Sequence, residues 1–591
     1  MSKIKLCKYC IFFAVLFTVP NYAQNQETQE QNQNVLIEAV RKELNRTMEE
    51  LKHQAIPPYF ISYQVIERLS NQINARFGKI VANNDFHSRN IDIDLRVGDY
   101  KFDNSHIIRG SSDYGWGGGY RKSLPLPLTN EEQSIRNIIW NSTDFAYKNA
   151  IEIYEKALTN QAVKVAAEDT SADFSQEQQV KYFKNFKERI YYNELSKIAI
   201  DKQTTFAIDT AKWADVCRRL SEKFVNYHWL INGEVIFSSN LYNNFFINTE
   251  GTEIQYSETS VRLMVSVKTK ADDGMILPLY KSYFAFECDG LPPEEVIAKD
   301  IDKMLELLGR LRNAPTATTF TGPAILSGEA AGVFFHEIFG HRVEGFREKN
   351  PDASNTFKHA IGTKILPNFI DVVFNPMEKT YKGQDLAGYY IFDDEGVKGE
   401  KVVTVRNGVF ENFLMSRSPI EGFPNSNGHG RKSQGRKAVT RQSNLFVLSK
   451  ETYTETKLRQ MLIDEAKKQG KEYGLYFAQV SGGFTSITRY YPNSFNVTPL
   501  VVYKIYVDGR PDELVRGVDL IGTPLTAFSN IIAAGDDMGI FNGVCGAESG
   551  WVPVSSLSPS LLVSRIEVQK KSKSQAKQPI LEHPASAESA K

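Results

Sequence analysis

The sequence predicts an α+β protein: an N-terminal domain of helices and antiparallel sheet, followed by a β-rich C-terminal domain that carries a metal-site helix. Three observations predict this class. Amphipathic helical stretches and alternating strand segments both occur before residue 318, and strands with Gly-rich turns dominate after it. The chain has 591 residues, of which 41% are hydrophobic, and a mean hydropathy of -0.35, as expected of a folded protein with two or three domains.

The N-terminus and the charge balance limit the classes of function. Residues 1–23 combine Lys3, Lys5 and Lys8 with a short apolar run and Ala23, which predicts a secretory signal peptide; an uncleaved anchor is the alternative. The 70 Lys+Arg and 70 Asp+Glu residues cancel, so the totals lack the positive surplus that non-specific nucleic-acid binding needs. We expect an exported protein, periplasmic or extracellular, without a nucleic-acid partner or stable membrane insertion after cleavage.

The N-terminal half divides into a polar lead at 24–34 and an α+β domain at 35–317. The lead (QNQETQEQNQN) is low in complexity, and we expect it to be solvated and mobile. Apolar spacing predicts a helix over 35–51, and YFISYQVIERL, ARFGKIVANN and NIDIDLRVGDY predict strands of an antiparallel sheet. Further predicted elements are a glycine loop at 111–120, a helix opened by Thr129-Asn130, a linker at 166–179 (AAEDTSADFSQEQQ), a helix at 209–224 with Asp209 or Thr210 as N-cap, strands in HWLINGEVIFSSN and the segment after it, and a helix at 292–314.

The C-terminal domain is predicted to span 318–569, with one clear helix at 451–469 and a polar, disordered tail at 570–591. Its segment EAAGVFFHEIFGHRVEG predicts a buried helix that carries His336, Glu337 and His341. Two imidazoles can ligate zinc, and a neighbouring carboxylate can take a proton from water, which is what a zinc hydrolase needs. Two core or helix-surface histidines are the alternative.

The spacing of the two histidines predicts a local irregularity. Residues five apart lie about 140° apart around a regular α-helix, so a straight helix could not chelate one ion with both. Gly340 tolerates unusual backbone geometry, and we expect a π-type bulge or an unwound last turn there.

A catalytic zinc needs a third protein ligand, and the residues alone leave several candidates open. Cys545 is flanked by Gly543 and Gly546, so its backbone can approach a metal, and thiolate is a strong zinc ligand. A buried thiol or a disulfide with Cys217 or Cys288 is the alternative, because signal cleavage leaves an odd number of cysteines. The other candidate ligands are Glu344, His359, Asp393, Asp394 and Glu395.

Five blocks in order closely resemble the TldD/PmbA family of metallopeptidases, specifically its catalytic TldD-type members. They are HEIFGHRVEG, YYIFDDEGVKGE, NGHGRKS, GVDLIGTPLTAFSNIIAAGDD and NGVCGAESG. The resemblance covers most of 320–567; ARFGKIVANN fits the N-terminal domain of the family, and about 100–235 look like an insertion relative to shorter members.

This resemblance implies a zinc metallopeptidase of the HExxxH type, in which His336, His341 and Cys545 bind zinc and Glu337 is the general base. It implies a peptide or unfolded-protein substrate, and a homodimer or a heterodimer with a homologous subunit. Familiar TldD-type members are cytoplasmic, whereas this chain begins with an export signal. Residues that could bind substrate or support the metal ligands are Glu344, Asp394, Glu395, Asn427 and Arg431.

Two other functions are compatible with single features of the sequence. A non-catalytic binding or scaffold subunit, stabilised by zinc, would follow if Glu344 or His359 closed the site as a fourth ligand. A glycosidase using Asp393 and Glu395 would need two opposed carboxylates, and nothing in the sequence supplies that geometry.

Overall fold

The computed structural model describes residues 22–108, 123–161, 170–177, 208–350, 356–485, 495–522 and 524–571. The predicted glycine loop, nearly all of the predicted signal peptide and nearly all of the predicted tail lie outside the described residues. Within the described part, no helix is both long and apolar enough to cross a membrane.

The helices and strands confirm the predicted α+β class. The α-helices of the described residues are α1 Tyr22–Leu51, α2 Glu132–Gln161, α3 Thr210–Glu222, α4 Glu294–Asn313, α5 Gly328–Ile338, α6 Glu455–Lys468 and α7 Pro524–Ser529. The strands are β1 Pro58–Arg76, β2 Lys79–Val97, β3 Leu124–Pro125, β4 Leu230–Asn248, β5 Glu253–Lys270, β6 Ile276–Ala285, β7 Phe320–Leu326, β8 Ile370–Phe374, β9 Thr380–Tyr381, β10 Gln384–Asp385, β11 Val402–Arg406, β12 Val409–Phe410, β13 Gly430–Arg431, β14 Val439–Thr440, β15 Asn444–Ser449, β16 Tyr473–Thr485, β17 Phe495–Tyr506, β18 Glu513–Val515, β19 Val518–Gly522, β20 Ile531–Ala534, β21 Gly539–Ala547, β22 Gly550–Ser558 and β23 Leu561–Lys570.

The N-terminal half is a six-stranded antiparallel sheet in the order β3-β2-β1-β4-β5-β6. Helices α1 to α4 pack on one face of it, because their apolar stripes join the strands in two hydrophobic clusters. The other face turns towards the C-terminal half, as the contacts of Arg262 and Tyr280 show: they reach Asn542 and Val480 respectively.

Two predicted elements of this half differ from the structure. ARFGKIVANN is not a separate strand: it contains the hairpin turn between the 19-residue strands β1 and β2. Phe77 and Gly78 both have positive φ, 45° and 77°, which a two-residue hairpin turn matched to the strand twist requires. The polar lead 24–34 belongs to α1, because Gln and Glu are good helix formers and extend the packed helix that follows.

The predicted linker at 166–179 is also wrong over its described residues, 170–177. Phe174 is buried, with its ring centroid 4.9 Å from that of Phe60, and Asp173 and Ser175 are buried beside it. One aromatic residue in a polar segment is enough to anchor it, because a buried ring removes a large apolar area from water.

The C-terminal half contains a six-stranded mixed sheet, β12-β11-β8-β15-β22-β21, and a second set of strands that closes on itself. The pairings β16-β7-β23-β19-β17 form a ring, since β17 also pairs with β16. Helix α5 contacts β16 on one side and β21 and β22 on the other. A Cβ at Gly332 would lie 2.9 Å from the carbonyl oxygen of Ser556, so the helix lies directly on the β21–β22 hairpin. The domain limits proposed from the sequence stay predictions.

Candidate metal centre

Helix α5 carries the first half of the site and stops before its second histidine. Ser327 caps the helix by accepting a hydrogen bond from Ala330 N at 3.3 Å. The α-helix ends at Ile338, and a 3₁₀ turn follows at Gly340–Arg342. The predicted departure from a regular helix is thus confirmed, in the form of an unwound last turn, and it brings His341 back towards His336.

The turn and strand β21 bring together three side chains that could ligate a metal ion. Cys545 Sγ lies 3.2 Å from His336 Nε2 and 3.4 Å from His341 Nε2. One possible ligand atom of each of the three residues lies within 4.8 Å of the others, and all three side chains are buried. Two imidazole nitrogens and one thiolate are a donor set that suits zinc.

Gly340 is required for a reason that the sequence did not reveal. A Cβ at this position would lie 2.5 Å from Gln442 Nε2 and still closer to its Oε1. Gln442 is fully buried and donates from Nε2 to the carbonyl oxygen of His336 at 3.3 Å. The glycine therefore makes room for a side chain that holds the end of α5.

Arg441 holds the strand that carries the cysteine. Its Nη2 donates to the carbonyl oxygen of Cys545 at 2.7 Å, and its Nη1 donates to Ser549 Oγ at 2.9 Å. Burial opposes ionisation of the Cys545 thiol, but His341, His336 and Arg441 outweigh it and hold the thiol pKa well below its usual range. The protein thus favours the thiolate, the form that binds metals.

Glu344 lies behind His341 instead of joining the three ligand atoms. Its Oε2 is 3.2 Å from His341 Nδ1 and accepts hydrogen bonds from Arg347 Nη2 at 2.7 Å and Nε at 2.9 Å. Although burial opposes the charge, Arg347 and His341 lower the Glu344 pKa to about 2. A carboxylate at Nδ1 fixes the ring so that Nε2 faces the metal position. Arg347 also pairs with Glu548, three residues after Cys545.

Glu337 lies next to the three ligands, under strand β16. A Cβ at Gly483 would lie 2.6 Å from Glu337 Cγ, so the strand contacts the carboxylate arm closely. Burial raises the pKa of this carboxyl, with His336 and His341 opposing the rise. Arg342 fixes the backbone here by donating to the carbonyl oxygen of Glu337 at 2.7 Å and to Thr485 Oγ1 at 2.8 Å.

The acidic turn 393–395 lies outside the three-ligand group. Asp393 accepts from the backbone N–H groups of Val397 and Gly430, each at 2.8 Å. Asp394 accepts from Lys432 N at 2.9 Å, and Glu395 accepts from Arg417 N at 2.7 Å. These hydrogen bonds fasten loops within the C-terminal half, and the predicted roles of Asp394 and Glu395 in substrate binding stay predictions.

Asn427 and Arg431 also bind mainly backbone. Asn427 accepts from Met415 N at 2.8 Å, whereas Arg431 Nη1 donates to the carbonyl oxygens of Gln442 and Pro553, both at 2.7 Å. Arg431 therefore supports the segment that contacts Gly340. The alternative ligand His359 is not in the ligand group found among the described residues, and Cys217, Cys288 and Cys545 are all free thiols.

Four further residues support the site and were not predicted from the sequence: Arg347, Arg441, Gln442 and Glu548. Only Arg347 carried a local signal, because it follows Glu344 at the i, i+3 spacing of an ion pair. The other three reach the site through contacts about 100 residues or more apart in the chain.

Known proteins with similar sequences match mainly the C-terminal half of the chain. Residues 319–570 match the family described as the PmbA/TldA metallopeptidase C-terminal domain. A metalloprotease of Archaeoglobus fulgidus is 29% identical over 260 residues, which are 44% of this chain and 56% of the relative. A zinc metalloprotease TldD homolog of Saccharolobus solfataricus is 23% identical over 248 residues, 42% of this chain and 51% of the relative. The chain thus spans about half the length of these curated relatives.

A solved structure extends the likeness to the whole fold. TldE from Thermococcus kodakarensis aligns over 90% of this chain and 100% of its own, with a TM-score of 0.56 and 12% identity. At that identity the likeness concerns the fold alone.

Proposed function

The chain is a member of the TldD/PmbA family through its C-terminal half, and on that premise we propose that it is a zinc-dependent peptidase of the HExxxH type. We propose that it hydrolyses peptide bonds in exported or extracytoplasmic peptides or unfolded proteins. The observation that carries the proposal is the buried group His336, His341 and Cys545 beside the carboxylate of Glu337. The zinc assignment is also supported by the similar protein of Saccharolobus solfataricus, which is named a zinc metalloprotease.

The donor set fits zinc, and a zinc ion held there would supply a Lewis acid for the substrate carbonyl and for water. Glu337 would take a proton from the attacking water and deliver it to the leaving amine. Burial raises the pKa of the Glu337 carboxyl, which makes its carboxylate a stronger base than one in water. Glu344 would keep His341 in one ring orientation throughout.

Strand β21 supports an extended peptide as the substrate. It is the last strand of its sheet, with β22 as its hydrogen-bonded neighbour in the described chain, and it carries Cys545 near its C-terminal end. An edge strand offers backbone groups to which an extended chain can pair. A peptide along β21 would place its backbone beside the metal ligands.

Assembly and location belong to the same proposal. As the resemblance to TldD-type members implies, we propose a homodimer or a heterodimer with a homologous subunit. The predicted signal peptide favours action outside the cytoplasm, in the periplasm or the extracellular space.

Digestion of a mixed peptide library, with zinc content measured on every protein, tests the proposal. The wild type should bind about one zinc ion per chain and cleave, whereas Glu337→Gln should keep zinc and lose about 10²–10⁴-fold in kcat, because only the proton transfer is removed. Glu455→Gln, an exposed change at the start of α6, is the matched control and should cleave like the wild type. Cleavage by Glu337→Gln at the wild-type rate, or zinc bound without cleavage by the wild type, would contradict the proposal.

A further inference from the structure

Arg262 reaches from the N-terminal sheet to the strand that carries Cys545. It lies on β5, and its Nη1 donates to Ser282 Oγ at 2.7 Å and to the carbonyl oxygen of Asn542 at 3.0 Å. Its guanidinium carbon is 5.2 Å from the centroid of the Phe284 ring. The charged end of this residue therefore lies between the two halves of the chain, beside β21.

In the described part of the chain, the Arg262 guanidinium has no anionic partner. Among the described residues, Arg262 is in no ion pair, and its Nε and Nη2 donate no hydrogen bond, yet neither atom is sealed from solvent. Burial lowers the pKa of Arg262, and the Tyr280 phenol opposes the fall. The buried arginines Arg347 and Arg417, in contrast, each hold carboxylates. A half-buried guanidinium without an anion is costly to the fold, so its unused N–H groups are available to an incoming carboxylate.

Its position relative to the metal ligands is set by strand geometry. Asn542 precedes Cys545 by three residues on β21, which at about 3.3 Å per residue corresponds to about 10 Å. Tyr280 lies on the same sheet face and donates to the carbonyl oxygen of Val480 at 3.2 Å, on strand β16, whose Gly483 contacts Glu337. The sheet face thus contacts both β21, which carries Cys545, and β16, which contacts Glu337.

We propose that Arg262 binds a carboxylate of the peptide substrate, about three residues from the bond that is cleaved. This inference rests on the proposed peptidase function and names its substrate class: peptides with an acidic side chain, or a free C-terminal carboxylate, at that distance. An extended peptide along β21 advances at the same rise per residue as the strand, so the separation of Arg262 from the ligands becomes a residue count in the substrate. The planar guanidinium with Nε and Nη2 unused matches a carboxylate in a two-point hydrogen bond.

Matched peptides test this inference. Fluorescent peptides of Gly, Ala, Ser and one Leu carry either Glu or Gln at each position up to four residues from the cleaved bond, with a free or an amidated C-terminus. The wild type should prefer one carboxylate position by about 10- to 100-fold in kcat/KM, mainly through KM, as expected for a charge-assisted hydrogen bond. The Glu and Gln series, set against the free and amidated termini, distinguish a side-chain carboxylate from a terminal one.

Variants assign the preference to the residue. Arg262→Gln should reduce the Glu/Gln or free/amide ratio to within about 2-fold of one, and Arg262→Lys should keep part of it, because the charge remains but the two-point geometry is lost. Arg76→Gln, which removes an arginine from an exposed ion pair on the same sheet, is the matched control and should keep the full ratio. A merely structural role for Arg262 would lower the rates for all peptides equally and leave the ratio unchanged.

Binding of the same peptides to the Glu337→Gln variant, followed by fluorescence anisotropy, separates this inference from the proposed function. Carboxylate-dependent binding that is lost on adding Arg262→Gln supports the inference even if the wild type cleaves nothing. Cleavage without a carboxylate preference overturns the inference and leaves the peptidase function standing. Absence of both binding and cleavage overturns both.

Discussion

Gly340→Ala should damage the metal centre without touching a metal ligand. The added Cβ would lie 2.5 Å from Gln442 Nε2 and closer to Oε1, well inside van der Waals contact. Gln442 cannot swing into solvent, because its side chain is fully buried. Either Gln442 breaks its hydrogen bond to the carbonyl oxygen of His336, or the 3₁₀ turn that carries His341 moves.

The size of the effect follows from these two alternatives. Overpacking of a dense interior costs about 1–3 kcal/mol, and a lost buried hydrogen bond adds about 1 kcal/mol. For a domain of about 250 residues, each kcal/mol lowers the melting temperature by about 2–4 °C, so we expect a fall of roughly 4–16 °C. Zinc affinity should fall by about 10- to 100-fold, as when residues that orient a ligand are changed.

Calorimetric melting and zinc titration against a competing chelator measure both effects. Gly309→Ala on α4 is the matched control, because its Cβ would meet Trp229 only at 3.6 Å, and alanine favours the helix; its stability should be unchanged or higher. The double variant Gly340→Ala/Gln442→Ala should recover part of the loss, since the clashing side chain is gone. Wild-type zinc affinity and melting in Gly340→Ala, or no coupling between the two substitutions, would refute the proposed contact.

Three further perturbations have expected results. Glu344→Gln should weaken zinc binding about 10- to 100-fold, because the carboxylate that orients His341 is lost. It should also lower the free energy of unfolding by about 3–5 kcal/mol, because Arg347 loses a buried anion. Unchanged zinc binding in competition with a chelator would contradict this prediction. Arg417→Met should cost a similar amount in urea unfolding, since it leaves the Glu250 carboxylate unpaired, whereas a neutral effect would argue against an ion pair that joins the two halves. Burial and Asp394 raise the pKa of Glu258 from 4.5 to about 7, so between these pH values the folded state retains a proton that the unfolded state loses. The free energy of unfolding should therefore fall as the pH rises from about 4.5 to about 7. Thermal melts across this pH range should show a smaller fall for Glu258→Gln than for the wild type.

Elements with a local physical signal were predictable from the sequence. The helix after Asp209 is an example: the Asp209 side chain accepts from Lys212 N at 2.8 Å, as its N-cap position predicted. The break near Gly340 followed from the angle between two histidines that one ion must join. The hairpin turn at Phe77-Gly78 was not predicted, because a bulky residue such as Phe rarely has a positive φ and therefore does not indicate a turn.

The parts that were not predictable depend on contacts between distant segments. Arg441 approaches Cys545 from 104 positions earlier in the chain, and Gln442 approaches His336 from 106 positions later. Neither hydrophobic periodicity nor a capping residue in the sequence predicts these contacts, because they form only when α5, β15 and the β21–β22 hairpin pack together. Buried polar residues in an otherwise ordinary loop were therefore indistinguishable from solvated ones.

The interface between the two halves determines more than stability. Arg417 is fully buried, donates from Nη1 and Nη2 to the two Glu250 oxygens at 2.7 Å each, and lies 3.8 Å from the centroid of the Phe174 ring. This ion pair and the hydrogen bond from Arg262 to the carbonyl oxygen of Asn542 both join the N-terminal sheet to the C-terminal half. The three candidate metal ligands belong to the C-terminal half, whereas Arg262, which we propose binds the substrate carboxylate, belongs to the N-terminal half. The zinc binding and the substrate preference that we propose thus depend on separate parts of the chain, and the contacts between those parts would fix the distance from the metal at which a substrate carboxylate is recognised.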